Sequence, residues 1–169
     1  EDCSDKELKL LEKHFQREIY PVLTPLAVGP GQPFPYISGL SLSLGVFAAD
    51  PETGDERFAR VKIPEGLPRY VEIGKRGLFV PLEQVIAHFL PALFPGATIV
   101  ERAAFRVTRD ADFEVSDDAA DLLEAVESQL QKRRFGDVVR VEVSASASSE
   151  MVARLTQGLG ADETQVYRI

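Results

Sequence analysis

The alternation of apolar and polar positions divides the chain into helical and extended stretches. Leu8, Leu11, Phe15 and Ile19 recur at steps of three and four, with Lys9, Glu12, Lys13, Gln16 and Arg17 between them, which predicts a helix over 5–19. Pro21 is expected to end it. The run from Pro21 to Pro35 also holds Pro25, Pro30, Pro33, Gly29 and Gly31, a composition that permits no helix and at most short extended pieces. Period two then takes over. Leu40, Leu42, Leu44 and Val46 alternate with Ser41, Ser43 and Gly45, which predicts a half-buried strand to Phe47. Asp50 to Asp55 reads as a turn, and Arg57 to Ile63 as the returning strand of a hairpin with Phe58, Val61 and Ile63 apolar. Arg69–Ile73 and Leu78–Val80 are two more short strands around Gly74 and Gly77.

Pro81 stands where a helix can begin, because its missing N–H is not needed in the first turn. Leu82, Val85, Ile86, Phe89, Leu90 and Leu93 form the apolar stripe, with a kink expected at Pro91 and a stop at Pro95-Gly96. Thr98–Val115 reads as extended, with a break near Asp110–Asp112. A helix over 117–135 carries Asp117, Asp118 and Asp121 in its first turn and Lys132, Arg133 and Arg134 in its last, the arrangement the helix dipole favours, and Gly136 follows as its terminating glycine. Val138–Val143 is a strand with Val139, Val141 and Val143 on one face. Ser148 or Ser149 caps a helix over about 150–158, and Gln165–Ile169 is a final strand. The order predicts an α+β domain with helices on a mixed, largely antiparallel sheet.

At 169 residues the chain has enough length for one domain with a real core. Its 44% apolar and 27% charged residues fit an ordinary globular domain and argue against disorder. No stretch approaches the ~20 apolar residues of a membrane span, and the acidic start is unlike a signal peptide. The lack of an initiator Met suggests a fragment of something longer. The lone Cys3 can form neither an internal disulfide nor a multi-cysteine metal site, which favours a reducing cytoplasm. The net charge of −8 repels nucleic acid and other polyanions at long range, so any such contact must come from a local basic patch.

Candidate chemistry is sparse. His14 and His88 stand alone on their predicted helices, without partners at metal-ligand spacing. No phosphate-cradling Gly-rich loop, dinucleotide fingerprint or nucleophile elbow is present. The acidic group at 117–121 is explained by helix capping. The cationic candidates are Arg57, Arg60, Lys62 and Arg69, then Arg102, Arg106 and Arg109. Along Phe105-Arg106-Val107-Thr108-Arg109, alternation sends Phe105 and Val107 inward and Arg106 and Thr108 outward. Arg109 shares the core side unless the strand breaks. Guanidinium forks suit phosphate or carboxylate, although a solvated face or an ion pair with Asp110 or Asp112 is the plainer use.

The stretch His14-Phe15-Gln16-Arg17-Glu18-Ile19-Tyr20-Pro21-Val22-Leu23-Thr24-Pro25-Leu26 resembles the opening of the polyphosphate kinase head, or middle, domain. Pro33-Phe34-Pro35-Tyr36-Ile37-Ser38-Gly39-Leu40, Arg60-Val61-Lys62-Ile63-Pro64, Leu67-Pro68-Arg69-Tyr70, Leu93-Phe94-Pro95-Gly96, Phe105 to Asp112, and Arg133-Arg134-Phe135-Gly136 continue it collinearly over nearly the whole chain. Gly39 departs from the pattern, since the family has Asn there. The resemblance implies a single head domain over 1–169, cut from a dimeric four-domain transferase. That enzyme moves the terminal phosphate of ATP reversibly onto polyphosphate, through a phosphohistidine and with Mg²⁺. The phosphohistidine belongs to domains downstream of this chain, and neither His14 nor His88 matches it. The domain is then expected to be non-catalytic, with no metal or cofactor of its own, and to serve scaffold, dimer and tunnel-side contacts. Its fold is expected to be that of the phosphohistidine-phosphatase type. Its partners are the other domains, a second subunit and, indirectly, polyphosphate. Arg106 and Arg109 are the candidates for the phosphate tunnel or an interdomain face. The implied location is the cytoplasm, with a peripheral place on the inner membrane open to the full-length enzyme. Two readings compete: a small stand-alone phosphatase of the phosphohistidine type using His88 or His14, and a generic polyanion-binding module.

Overall fold

The hairpin signalled by the Asp50–Asp55 turn is the centre of the fold. In the computed structural model, which describes residues 3–29, 31–74, 77–110 and 136–169, strand β2 (Leu42–Ala49) pairs antiparallel with β3 (Glu56–Lys62). Asp50 Oδ1 accepts from the Glu52 N–H at 2.8 Å, and Gly54 takes a positive φ of 76° that closes the turn. On the far side of β3 lies β1 (Pro25–Val28), and on the far side of β2 lies β6 (Thr98–Arg109). β7 (Val138–Val143) pairs antiparallel with β6, and β8 (Val166–Arg168) pairs parallel with β7, giving the order β1-β3-β2-β6-β7-β8. The one parallel pair needs a crossover, which α3 (Ser149–Leu159) supplies. β4 (Tyr70–Ile73) and β5 (Leu78–Pro81) form a separate two-stranded sheet. The expected α+β class and mixed, largely antiparallel sheet are therefore present.

Both faces of the large sheet are covered. Leu44, Val46, Val61 and Ile63 meet the first helix, α2 (Leu82–His88) and β4 on one face. Phe47, Phe58, Phe105 and Val107 meet Met151 and Leu155 of α3 on the other. Each fully buried aliphatic or aromatic side chain here contributes about 1.5–3 kcal/mol. This corrects the half-buried reading of β2. Its small positions are not a wet face. Gly45 leaves the space that Met151 and Phe58 fill, since a Cβ there would meet the Met151 sulfur at 2.9 Å.

The first helix is also corrected. α1 spans Asp5–His14, then widens to a π-turn at Phe15–Ile19 and tightens to a 3₁₀ turn at Tyr20–Val22. Pro21 cannot donate to the Arg17 carbonyl and its ring crowds that oxygen, so the last turn opens rather than stopping at once. The widening keeps Phe15 and Ile19 both in the core, where Phe15 stacks on Phe89 at 4.9 Å. β1 forms inside the Pro-rich run because β3 provides its partners, and Pro25 occupies the first position of an edge strand, where a missing donor is tolerated. Pro91 does not kink a continuous helix. α2 ends at His88, and Pro91 sits in a 3₁₀ turn over Leu90–Leu93.

Val139 does not share the buried face of Val141 and Val143. The β6–β7 register shifts between Thr108 and Arg109, which leaves Val139 exposed. Ser148 caps α3 by accepting from the Met151 N–H at 3.0 Å, and Gly160 ends it with a φ of 65°. The predicted helix over 117–135 and the extension of β6 to Val115 lie outside the described residues. No helix among the described residues is long and apolar enough to cross a membrane.

Candidate functional site

β6 presents its two candidate arginines to different surroundings, as the strand pleat requires. Arg106 points to the face opposite Phe105 and stands directly across from Glu142 of β7. Its Nε donates to Glu142 Oε2 at 2.7 Å, and its Nη2 lies 2.5 Å from the same oxygen. Arg140 donates from Nε to the other oxygen, Oε1, at 3.0 Å, and its guanidinium lies over the ring of Tyr167 at 3.7 Å. Glu142 is thus shared between two cations. The Arg106 hydrogen bond, with Arg140 adding to it, holds its carboxyl below the ordinary carboxylate range against the opposing effect of burial.

Arg106 remains half exposed and rims an open cavity of about 340 Å³, together with Leu40, Leu42, Ile63, Arg69 and Leu82. Arg69 is held there by a bidentate pair with Glu83, its Nη2 donating to Oε1 at 2.7 Å. Leu40 is 68% exposed and adopts a φ of 62°, a left-handed conformation that strains a non-glycine residue.

Arg109 turns toward the other face, as alternation allows. Its Nε donates to the Ile37 carbonyl at 2.9 Å and its Nη1 to the Gly136 carbonyl at 2.8 Å, while the guanidinium lies 4.7 Å from the centre of the Tyr36 ring. The structure does not bring Arg106 and Arg109 together. Arg109 anchors the Pro-rich strap, the run from Pro21 with its continuation through Ile37, to the end of β6, and Arg106 belongs to a row of shared charges on the opposite side.

The histidines lie elsewhere. His14 Nδ1 is 3.6 Å from Glu18, and both line a cavity with Tyr70 and Phe79. His88 is exposed on α2 with its ring edge-on to Phe89. Among the described residues no group of three or more His, Cys, Asp or Glu side chains is placed to hold a metal ion. Sequence reasoning missed Glu142 and Arg140. The register with β6 is what makes them neighbours of Arg106, although their alternation on β7 was visible.

Taken together, these features define an α+β domain that offers positioned cations and hydrogen-bond donors. The polyphosphate kinase middle domain family matches residues 6–169, and the chain belongs to that family. It is 44% identical to the polyphosphate kinase of Mycobacterium leprae over 99% of this chain and 25% of that protein. It is 50% identical to the polyphosphate kinase of Synechocystis, again over 99% of this chain and 25% of the relative. A crystal structure of polyphosphate kinase from Porphyromonas gingivalis matches the fold with a TM-score of 0.77 at 21% identity, covering 99% of this chain and 24% of that one. The chain therefore spans about a quarter of the length of these relatives.

Proposed function

We propose that this chain is a non-catalytic supporting domain of a polyphosphate kinase. The whole enzyme, in this reading, is a cytoplasmic homodimer that transfers the terminal phosphate of ATP reversibly to polyphosphate. It works through a phosphohistidine and Mg²⁺ carried by other domains. Phosphoryl transfer needs a nucleophile, metal-bridged phosphates and cationic clamps, and the described residues of this chain supply the last of these. The observation that carries the reading is the half-exposed Arg106 at the rim of an open cavity, beside an exposed and strained Leu40. An apolar side chain held in a costly backbone conformation at a cavity mouth fits a surface covered by a neighbouring domain. Arg106 then faces the phosphate tunnel or an interdomain contact, and Arg109 supports it indirectly by fixing the strap.

The test is polyphosphate synthesis from ATP by this chain alone, beside a full-length enzyme carrying Arg106→Ala and one carrying Arg109→Ala. An inactive fragment with a crippled Arg106→Ala enzyme supports a domain that lends a cation to the tunnel. Normal synthesis by that mutant leaves only the scaffold and dimer roles. Synthesis by the fragment itself refutes the non-catalytic reading. The phosphatase alternative draws on the His14–Glu18 pair in its cavity. Phosphohistidine hydrolysis by the isolated chain, lost on His14→Ala, would favour it.

A further inference from the structure

Three polar side chains are buried among the described residues: Ser41, Ser43 and Arg60. Ser41 is accounted for, since its hydroxyl donates to the Ser38 carbonyl at 2.8 Å. Arg60 and Ser43 are not. Arg60 is only 6% exposed, and its one hydrogen bond among the described residues runs from Nε to Ser43 Oγ at 3.1 Å. No carboxylate of the described residues lies within ion-pair distance of it. Ser43, fully buried, accepts that bond, but its own O–H meets no acceptor there. The two terminal nitrogens of Arg60 hold four further N–H donors. They are not sealed from solvent, because every fully buried side-chain nitrogen or oxygen of the described residues has a partner.

A buried guanidinium held by one neutral hydroxyl is an expensive arrangement, and burial pulls its pKa below the ordinary arginine value. A second cation lies on the same face. Lys62 lies on the same face of β3, directly across from Ser43, and among the described residues its Nζ pairs with the exposed Glu65 at 2.8 Å. Leu26 of β1 is the register partner of Arg60 on the side away from β2, and it is 40% exposed, so the face opens at this level. Further along the same face Arg154 lies 5.8 Å over the Phe58 ring and forms no ion pair with any described residue.

We propose that Arg60, Ser43 and Lys62 form an oxyanion site on the α3 face of the sheet, and that its ligand is a phosphate group. A carboxylate presents two oxygens, whereas β2 and β3 carry a guanidinium fork, a hydroxyl and a lysine on one face, donors in number for a tetrahedral group with three free oxygens. The site lies across the sheet from the Arg106 cavity. It rests on the hydrogen-bond inventory of β2 and β3, not on the supporting-domain reading, and either can fail without the other.

The experiment is calorimetric titration of the chain with inorganic phosphate, tripolyphosphate and, as a carboxylate control, acetate, each at two salt concentrations. Phosphate and tripolyphosphate bind the wild type, and raised salt weakens them. Arg60→Met keeps the bulk of the side chain and lowers affinity by about tenfold or more, the loss expected of a charge-assisted pair. Ser43→Ala, which leaves the charge in place and guards against a misfolded Arg60 variant, weakens binding several-fold. Arg17→Ala, which removes an exposed arginine of the first helix far along the chain from β2 and β3, leaves it unchanged. Absence of phosphate binding up to ~10 mM, a limit weaker than any useful contact, overturns the proposal. So does unchanged binding in Arg60→Met and Ser43→Ala, or acetate binding as tightly as phosphate.

Discussion

Gly158 in α3 separates helix propensity from tertiary packing. Alanine is about 1 kcal/mol better than glycine in a helix interior, so propensity alone makes Gly158→Ala stabilising. The structure says the reverse. A Cβ at this position would lie 2.1 Å from Cδ2 of Phe34 and 2.4 Å from its Cγ and Cε2. These are ring atoms, and the ring is stacked on Phe58 with centroids 5.5 Å apart and planes 17° apart, so it cannot step aside and keep its contact. Losing a partly buried phenylalanine and its stacking partner costs about 2 kcal/mol. The expected net effect of Gly158→Ala is about 1 kcal/mol of destabilisation. In a Phe34→Ala background the obstruction is gone, and the same substitution stabilises by about 1 kcal/mol. Urea denaturation of the four proteins in this cycle, followed by far-ultraviolet circular dichroism, measures the coupling directly. Stabilisation by Gly158→Ala in both backgrounds, by equal amounts, would refute the docking of the Pro-rich strap on α3.

Three further outcomes follow from the same structure. Ser148→Ala removes the cap on the Met151 N–H and the hydroxyl bond to Glu101 Oε2 at 2.6 Å; it lowers the stability in urea by about 1–2 kcal/mol. The Glu142 carboxyl is depressed in the folded state by Arg106 and Arg140, so its stabilisation is complete above the unfolded value of about 4.3 and is lost as the pH falls through the folded value; Glu142→Gln should flatten the acid limb of the urea midpoint relative to wild type, and an unchanged limb would count against the pairing. Leu40→Gly relieves the left-handed strain of an exposed side chain and raises the melting temperature of the chain, by an amount equivalent to about 0.5 kcal/mol; a fall in melting temperature would contradict the strain argument.

The sequence resemblance and the element order were legible together. The steps of three and four through Leu8, Leu11 and Phe15, the turn residues at Asp50–Asp55, and the serine before α3 each state a local rule that the fold obeys. The site was legible only in part. Arg106 was placed outward by alternation, and so it is. Arg109 was placed on the core side, but its anchoring of Ile37 and Gly136 joins segments 72 and 27 residues away, which no local pattern announces.

By itself the sequence determined the family, the α+β class and the positions of most helices and strands, because periodicity and turn chemistry act over a few residues. Tertiary structure alone decided what each face meets. Gly45 looks like part of the solvent face of β2, and it is buried because Met151 of α3 and Phe58 pack over it. The Pro-rich run promises at most short extended pieces, and Pro25–Val28 becomes β1 because β3 supplies its partners. Arg60 looks like one surface cation among several, and it is buried on the α3 face with its Nε bonded to Ser43 of the neighbouring strand. Hydrogen bonding between strands and burial beneath a distant helix are contacts between segments far apart in the chain, and only their assembly determines which of them form.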